Sequence, residues 1–265
     1  MMKYKIISLL LSVVPMSMTA QEVVRTSTYQ IGVGSTNILD TYLSQEHFSG
    51  TGITYLYTTD RARTDRSWHT LMEHQANLSK VSDRPDQVDE LQGDYTFFIG
   101  RLRRWNLLSD RLTLEAGGMA AVNIGFIYNT YNSNNPAQAR FSLNLMPTGA
   151  ASYRFRLFSR NAALRYEVQL PLAGVMFSPN YGQSYYDIFN RGNYDHNVVP
   201  TTFVSSPTMR HQLMADINIS SKTTLRFGYL GDIQQSHVNS IKSHIYSHRF
   251  MLGFVKKFSV KRLRP

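Results

Sequence analysis

Between residues 139 and 157 the chain reads ARFSLNLMPTGAASYRFRL, with apolar and polar residues taking turns. Phe141, Leu143, Leu145, Ala151, Tyr153, Phe155 and Leu157 share one parity, and Arg140, Ser142, Asn144, Thr148, Ser152, Arg154 and Arg156 the other. A period of two is the mark of a β-strand with two unlike faces. The parity survives Pro147 and Gly149. Two strands joined by a turn would have no reason to keep it, because an odd shift flips every side chain. One long strand, kinked at Pro147, is therefore expected.

The same alternation recurs along the chain. Ile53, Tyr55 and Tyr57 oppose Thr54, Thr58 and Asp60, and Leu164, Tyr166, Val168 and Leu170 oppose Arg165, Glu167 and Gln169. Leu213, Ala215, Ile217 and Ile219 oppose Arg210, Gln212, Asp216 and Asn218. The pattern predicts strands at about 22–33, 50–60, 67–80, 94–104, 111–128, 139–158, 162–175, 207–219, 223–233 and 244–258. That is ten, with twelve as the alternative. Short links at RARTDR, WNLLSD, FSRN and SSKT alternate with long ones near 34–49, 81–93, 129–138, 176–206 and 234–243. Short turns on one side and long loops on the other are the habit of outer-membrane barrels, whose termini lie on the short-turn side.

A soluble barrel would turn the apolar parity inward, whereas a membrane barrel turns it out to lipid around a polar lumen. Strand length, Tyr and Phe near the strand ends, Trp68 and Trp105 beside short turns, and inward faces mixing Arg with Glu, Asp, Gln and Asn favour the membrane. The expected fold is all-β, a transmembrane antiparallel up-and-down β-barrel. A soluble exported β-barrel binding a small ligand stays open as an alternative.

The start of the chain agrees with export. Lys3 and Lys5, the apolar run Ile6 to Val14 and the small-residue exit Thr19-Ala20 follow the order of a signal peptide, which would make 1–20 a leader and 21–265 one barrel domain. The apolar run is too short to span a bilayer as a helix. Removing the leader lowers the net charge from +10 to +8, and no basic run precedes the terminal KKFSVKRLRP, so nucleic acid is not an expected partner. There is no cysteine.

At NILDTYLSQEHFSGTGI, NSNNPAQA, FSPNYGQSYYDIF and HVNSIKSHIYSHRFMLGF the chain resembles an uncharacterised Bacteroidetes family of exported proteins, a domain of unknown function thought to form outer-membrane barrels. The resemblance implies a location and no reaction. Seven residues follow Phe258, where many outer-membrane proteins stop on an aromatic.

Catalytic motifs are missing: no GxSxG, no Walker loop, no HExxH and no cysteine–histidine metal spacing. No cofactor and no metal are expected. Glu73, Glu115, Arg154, Arg156, Arg165, Glu167, Arg210, Asp216 and Arg226 share the inward parity. In a barrel of this width they read first as a charge network that helps fill the lumen. The longest loop, 176–206, carries Tyr181, Tyr185, Tyr186, Phe189 and Tyr194, large rigid side chains interspersed with hydrogen-bonding ones, which suit either a binding surface or a lid over the barrel mouth. SYYDIF has the makings of one helical turn. The function expected is a non-enzymatic surface anchor, binding or accessory barrel with outer-membrane lipid around it and a protein or glycan partner at its outer loops. The alternative is an outer-membrane hydrolase or acyltransferase with a rim active site, for which Asp195-His196 and Glu46-His47 are the only sequence-level candidates.

Overall fold

The computed structural model describes residues 21–220 and 223–262; the expected leader, 1–20, lies outside them. Ten strands close a barrel: β1 (Gln21–Asp40), β2 (Phe48–Arg63), β3 (Trp68–Ser82), β4 (Asp89–Leu107), β5 (Leu112–Asn129), β6 (Ala137–Leu157), β7 (Arg160–Gln169), β10 (Met209–Asn218), β11 (Thr223–Val238) and β12 (Ile241–Arg262). Each pairs antiparallel with its neighbour. β1 pairs with β12, and the β5–β6 pairing completes the wall, so the barrel has no free edge. Two further strands, β8 (Ala173–Phe177) and β9 (Val198–Thr202), form a hairpin above it, so the count is ten in the wall and two outside.

β6 is the long strand of the opening pattern. Its pairing with β5 runs without a break through Pro147, which faces Gly118. On its other side the partner changes here, from β7 at Thr148↔Gln169 to β8 at Leu145↔Ala173. Proline cannot donate to a ladder, so it fits where one partner ends and the next begins. The expected seventh strand, 162–175, is interrupted in the same place, at Leu170-Pro171-Leu172.

Three expected long loops are largely strand, among them 81–93, where β3 runs to Ser82 and β4 starts at Asp89. β1 runs on to Asp40, which leaves Thr41–His47 as the loop, and β11 and β12 meet in a two-residue turn at Asn239-Ser240. Strands that rise past the apolar girdle need no apolar face, so alternation does not mark these extensions.

The outward parity is apolar and open to its surroundings: Ile53 is 50% exposed, Ile124 59% and Leu145 62%. Trp68 and Trp105 sit at the short-turn end of this girdle, each under a guanidinium, Arg101 and Arg103. A continuous apolar surface of this extent calls for a nonaqueous environment. The inward parity is not uniformly polar as expected. Leu56, Met214, Leu230 and Met251 make one buried cluster, and Leu71, Phe98, Leu102, Met119, Ala121 and Met146 another. A third, at the long-loop end, joins Ile38, Leu43, Phe48, Val81, Ile127 and Ile245. Each leucine or phenylalanine so buried stabilises by about 1.5–3 kcal/mol. Apolar and polar layers alternate down the lumen.

Candidate functional site: the lumen and its outer lid

At mid-height one side chain spans the lumen. Arg210 reaches from β10 to β3, where its Nε donates to Gln75 Oε1 at 2.7 Å and its Nη2 lies 2.9 Å from Glu73 Oε2. Nη1 donates to Gln169 at 3.0 Å, and with the Gln212 amide turned to accept, Nη1 and Nη2 donate to it at 3.0 and 3.1 Å. Four of the five N–H donors of the guanidinium are then used, and Glu73 faces it as an ion pair. The Phe98 ring lies against it, 4.8 Å away. Arg210 and Glu73 are 2% and 1% exposed. This bar crosses the lumen beside the two apolar clusters that hold the methionines and leucines.

Toward the short turns the network continues. Arg165 bridges Glu115 at 2.6 Å and Glu167 at 2.7 Å, Arg104 bridges Glu115 and Asp60, and Arg226 holds Asp216 through two bonds of 2.7 Å. His69 Nδ1 meets Asp60 at 2.7 Å. Of the residues expected in the network, Glu73, Glu115, Arg165, Glu167, Arg210, Asp216 and Arg226 come together in these pairs. Arg154 instead donates to the Asp110 carbonyl, and Arg156 stands exposed near the β6–β7 turn. Inward parity pointed to both; Arg154 lines the lumen at its short-turn mouth without a carboxylate partner, and only by Arg156 has the strand passed its end.

Asp60, His69 and Glu115 lie close enough to suggest a metal site. The Arg104 guanidinium, however, sits between the two carboxylates, 2.9 Å from Asp60 and 2.6 Å from Glu115. It occupies the charge position a cation would take, so the cluster is complete as an ion-pair network.

Sequence reasoning missed the arginine most deeply set in the wall. Arg249, 1% exposed, donates to the hydroxyls of Thr36, Thr54 and Ser79 and to the Ser35 carbonyl. It makes no ion pair with a carboxylate among the described residues. Gly52 makes room for it, since a Cβ there would lie 2.4 Å from Nη2. Asp94 and Asp232 share this upper half, held by Asn77 and Gln75. All three had the inward parity, which was the available signal.

Above the mouth, the 176–206 loop folds into β8, β9 and a helical turn, α1 (Tyr185–Phe189), with Ser184 and Asp187 closing a capping box. The Ser184 hydroxyl and backbone N–H, with Arg191 beyond them, hold the Asp187 carboxyl below its ordinary range. Ile188 is buried at 1%. Tyr185 Oη donates to Gln138 Oε1 at 2.9 Å and accepts from the Ala139 N–H at 2.6 Å, which ties the loop to β6. Tyr42, from the β1–β2 loop, donates to the Gln183 carbonyl at 3.0 Å and packs edge-on against Tyr185. Burial pushes the Tyr42 phenol up to about 12, helped by the charges of Asp40 and Asp187, and raises that of Tyr185 as well. The other four aromatics of the expected site face outward: Tyr181, Tyr186, Phe189 and Tyr194 are 59%, 58%, 62% and 63% exposed. Asp195 and His196 touch at 2.5 Å but are largely exposed neighbours on a loop, with no serine in the contact. The His47 and His244 rings meet at a tilt, 5.3 Å between centroids.

An apolar girdle, a lumen packed with alternating layers, short turns at one end and a folded lid at the other define an outer-membrane-type β-barrel. The chain belongs to the family described as "Protein of unknown function (DUF3316)", whose model matches residues 5–265. A comparison with curated proteins returns no match. Among solved structures the chain is similar to the transport unit of the autotransporter AIDA-I from Escherichia coli, at 7% identity over 95% of this chain and 94% of that one, TM-score 0.44. It is also similar to the translocator domain of autotransporter NalP from Neisseria meningitidis (10%, 92% and 90%, TM-score 0.37). A third is Ail, the attachment invasion locus protein of Yersinia pestis (10%, 88% and 98%, TM-score 0.30). These likenesses assign no activity.

Proposed function

We propose that residues 21–265 form one barrel domain in the outer membrane, delivered there by a leader at 1–20. On the resemblance noted in the sequence, that membrane is a Bacteroidetes one. The barrel is a non-enzymatic scaffold. It presents a rigid surface outside the cell and lets nothing through. The observation that carries this reading is the division of labour in the lid. Tyr185 and Ile188 fasten it to the rim, while Tyr181, Tyr186, Phe189 and Tyr194 stay exposed on a segment too well held to collapse over them. Exposed aromatics with ordered polar neighbours favour capture of a protein loop or the apolar face of a sugar ring. Arg210 reaching across a ten-strand lumen argues against a diffusion pore, which needs a wider barrel.

The test is binding by the reconstituted barrel to a glycan array and to a cell-surface protein panel, beside a variant with these four aromatics changed to serine. Capture should disappear in the variant while its unboiled gel mobility is unchanged. Capture that survives the four changes would place the binding surface elsewhere.

A further inference from the structure

Below the Arg210 bar the lumen is not filled, contrary to the plug expected from barrel width. A cavity of about 660 Å³ opens toward the short turns. The sequence explains its size. Inward positions at this level include Thr26, Thr28, Thr58, Thr113, Ser152 and Ala163, side chains too short to meet across ten strands. The long ones are drawn back to the wall by their ion-pair partners. The space equals that of ~20 liquid waters and lies within the range of small-molecule sites.

Its charges are unevenly satisfied. Asp60 and Glu115 share Arg104, Glu115 and Glu167 share Arg165, Asp216 takes Arg226, and Glu73 takes Arg210. Five carboxylates share four arginines, so the two further cations at the mouth leave the cavity one positive charge in surplus. Arg154 reaches only the Asp110 carbonyl, and Lys257 has no carboxylate partner among the described residues. They stand on β6 and β12, four strands apart around the wall, so their fields overlap at the opening. Deeper in, His69 is 3% exposed, and its Nε2, 3.5 Å from Glu115 Oε1, makes no hydrogen bond.

We propose that this cavity is a binding site for a small soluble anion carrying a phosphate or carboxylate group, admitted from the short-turn side. Surplus positive charge at the mouth of a cavity with low-dielectric walls concentrates anions. Guanidinium and ammonium groups hold oxyanions through charge-assisted bonds, and the threonine hydroxyls add donors around the polar remainder of the solute. An acyl chain is a poor occupant, since it would press hydrocarbon against a ring of ion pairs. The site is separate from the outer lid, and its test does not depend on what the lid captures.

The chain has no cysteine, so Ala163→Cys gives a single reporter facing Arg154 across the β6–β7 pairing. Its labelling is measured on the folded barrel in detergent, with sulfonate-bearing and trimethylammonium-bearing methanethiosulfonates, at ionic strength matched with chloride. After normalisation to free cysteine, the sulfonate reagent should react ~10-fold faster, and inorganic phosphate should slow it. Adding Arg154→Gln and Lys257→Gln should remove both the preference and the protection. Equal normalised rates, or phosphate without effect, would overturn the proposal. So would a reporter that neither reagent reaches until the barrel is unfolded.

Discussion

Replacing Arg210 with methionine removes the bar across the lumen and leaves Glu73 without its cation. The Glu73 side chain is 2% exposed and its one ion pair among the described residues, at 2.9 Å, is with Arg210. Breaking one partner out of a buried pair costs ~3–5 kcal/mol, because the other charge stays buried and uncompensated. The Gln75 and Gln169 oxygens, both 0% exposed, also lose a donor. Adding Glu73→Gln removes the stranded charge, so the double variant should recover much of the loss. The coupling between the two sites should approach ~3 kcal/mol, the upper end of what contacting residues show. Urea unfolding in detergent micelles, followed by tryptophan fluorescence and by the boiled-versus-unboiled gel shift, measures all four corners of the cycle. A loss under ~1 kcal/mol for Arg210→Met, the value of an exposed pair, would refute the bar. Simple additivity of the two substitutions would do the same.

The lid and the turns give further expectations. Tyr185→Phe removes two hydrogen bonds and should weaken docking by ~1–3 kcal/mol, read as faster protease cleavage within 181–194 at unchanged barrel stability. Asn239 and Ser240 both have positive φ, 51° and 60°. Ser240→Gly therefore suits a two-residue hairpin turn and should raise the urea midpoint by the equivalent of ~0.5–1 kcal/mol; a lower midpoint would contradict this. Docking of the lid should also fall at high pH. An undocked tyrosine ionises near 10, whereas Tyr42 when docked holds its proton to about 12. Docking is thus flat below pH ~10 and weakens as pH rises through the docked value. Tyr42→Phe should reduce that alkaline loss and leave the part carried by Tyr185, whose phenol docking also raises.

How much of this the sequence carried depends on what parity can encode. Period-two alternation told inside from outside at Leu213 and Gln212, and kept β6 whole through Pro147, because a closed wall repeats one rule at every residue. It could not place the ends of β1, β11 and β12, where strands rise beyond the girdle and lose their apolar face. Nor did it separate Arg154 and Arg156 from Arg165: all share a parity, but height along the barrel is set by strand stagger, which no single strand reveals. The apolar lumen layers were hidden for a related reason. Leu56, Met214 and Met251 look like lapses in alternation until pairing brings them to one level. Tyr185 and Tyr186 are neighbours in the loop, and only the helical turn assigns one to the rim and the other to the outside.

Everything above depends on the apolar parity facing lipid. Nitroxide labels placed singly at Ile53, Thr54, Tyr55 and Thr58 of β2, in the barrel reconstituted into bilayers, test it most directly. Ile53 and Tyr55 are 50% and 48% exposed on the outer wall, Thr54 is 1% exposed in the lumen, and Thr58 lines the lower cavity. Molecular oxygen concentrates in hydrocarbon, so the account predicts strong oxygen broadening at 53 and 55 and weak broadening at 54 and 58. A water-soluble relaxant reaching 53 and 55 as readily as 58, with no excess of oxygen there, would contradict it.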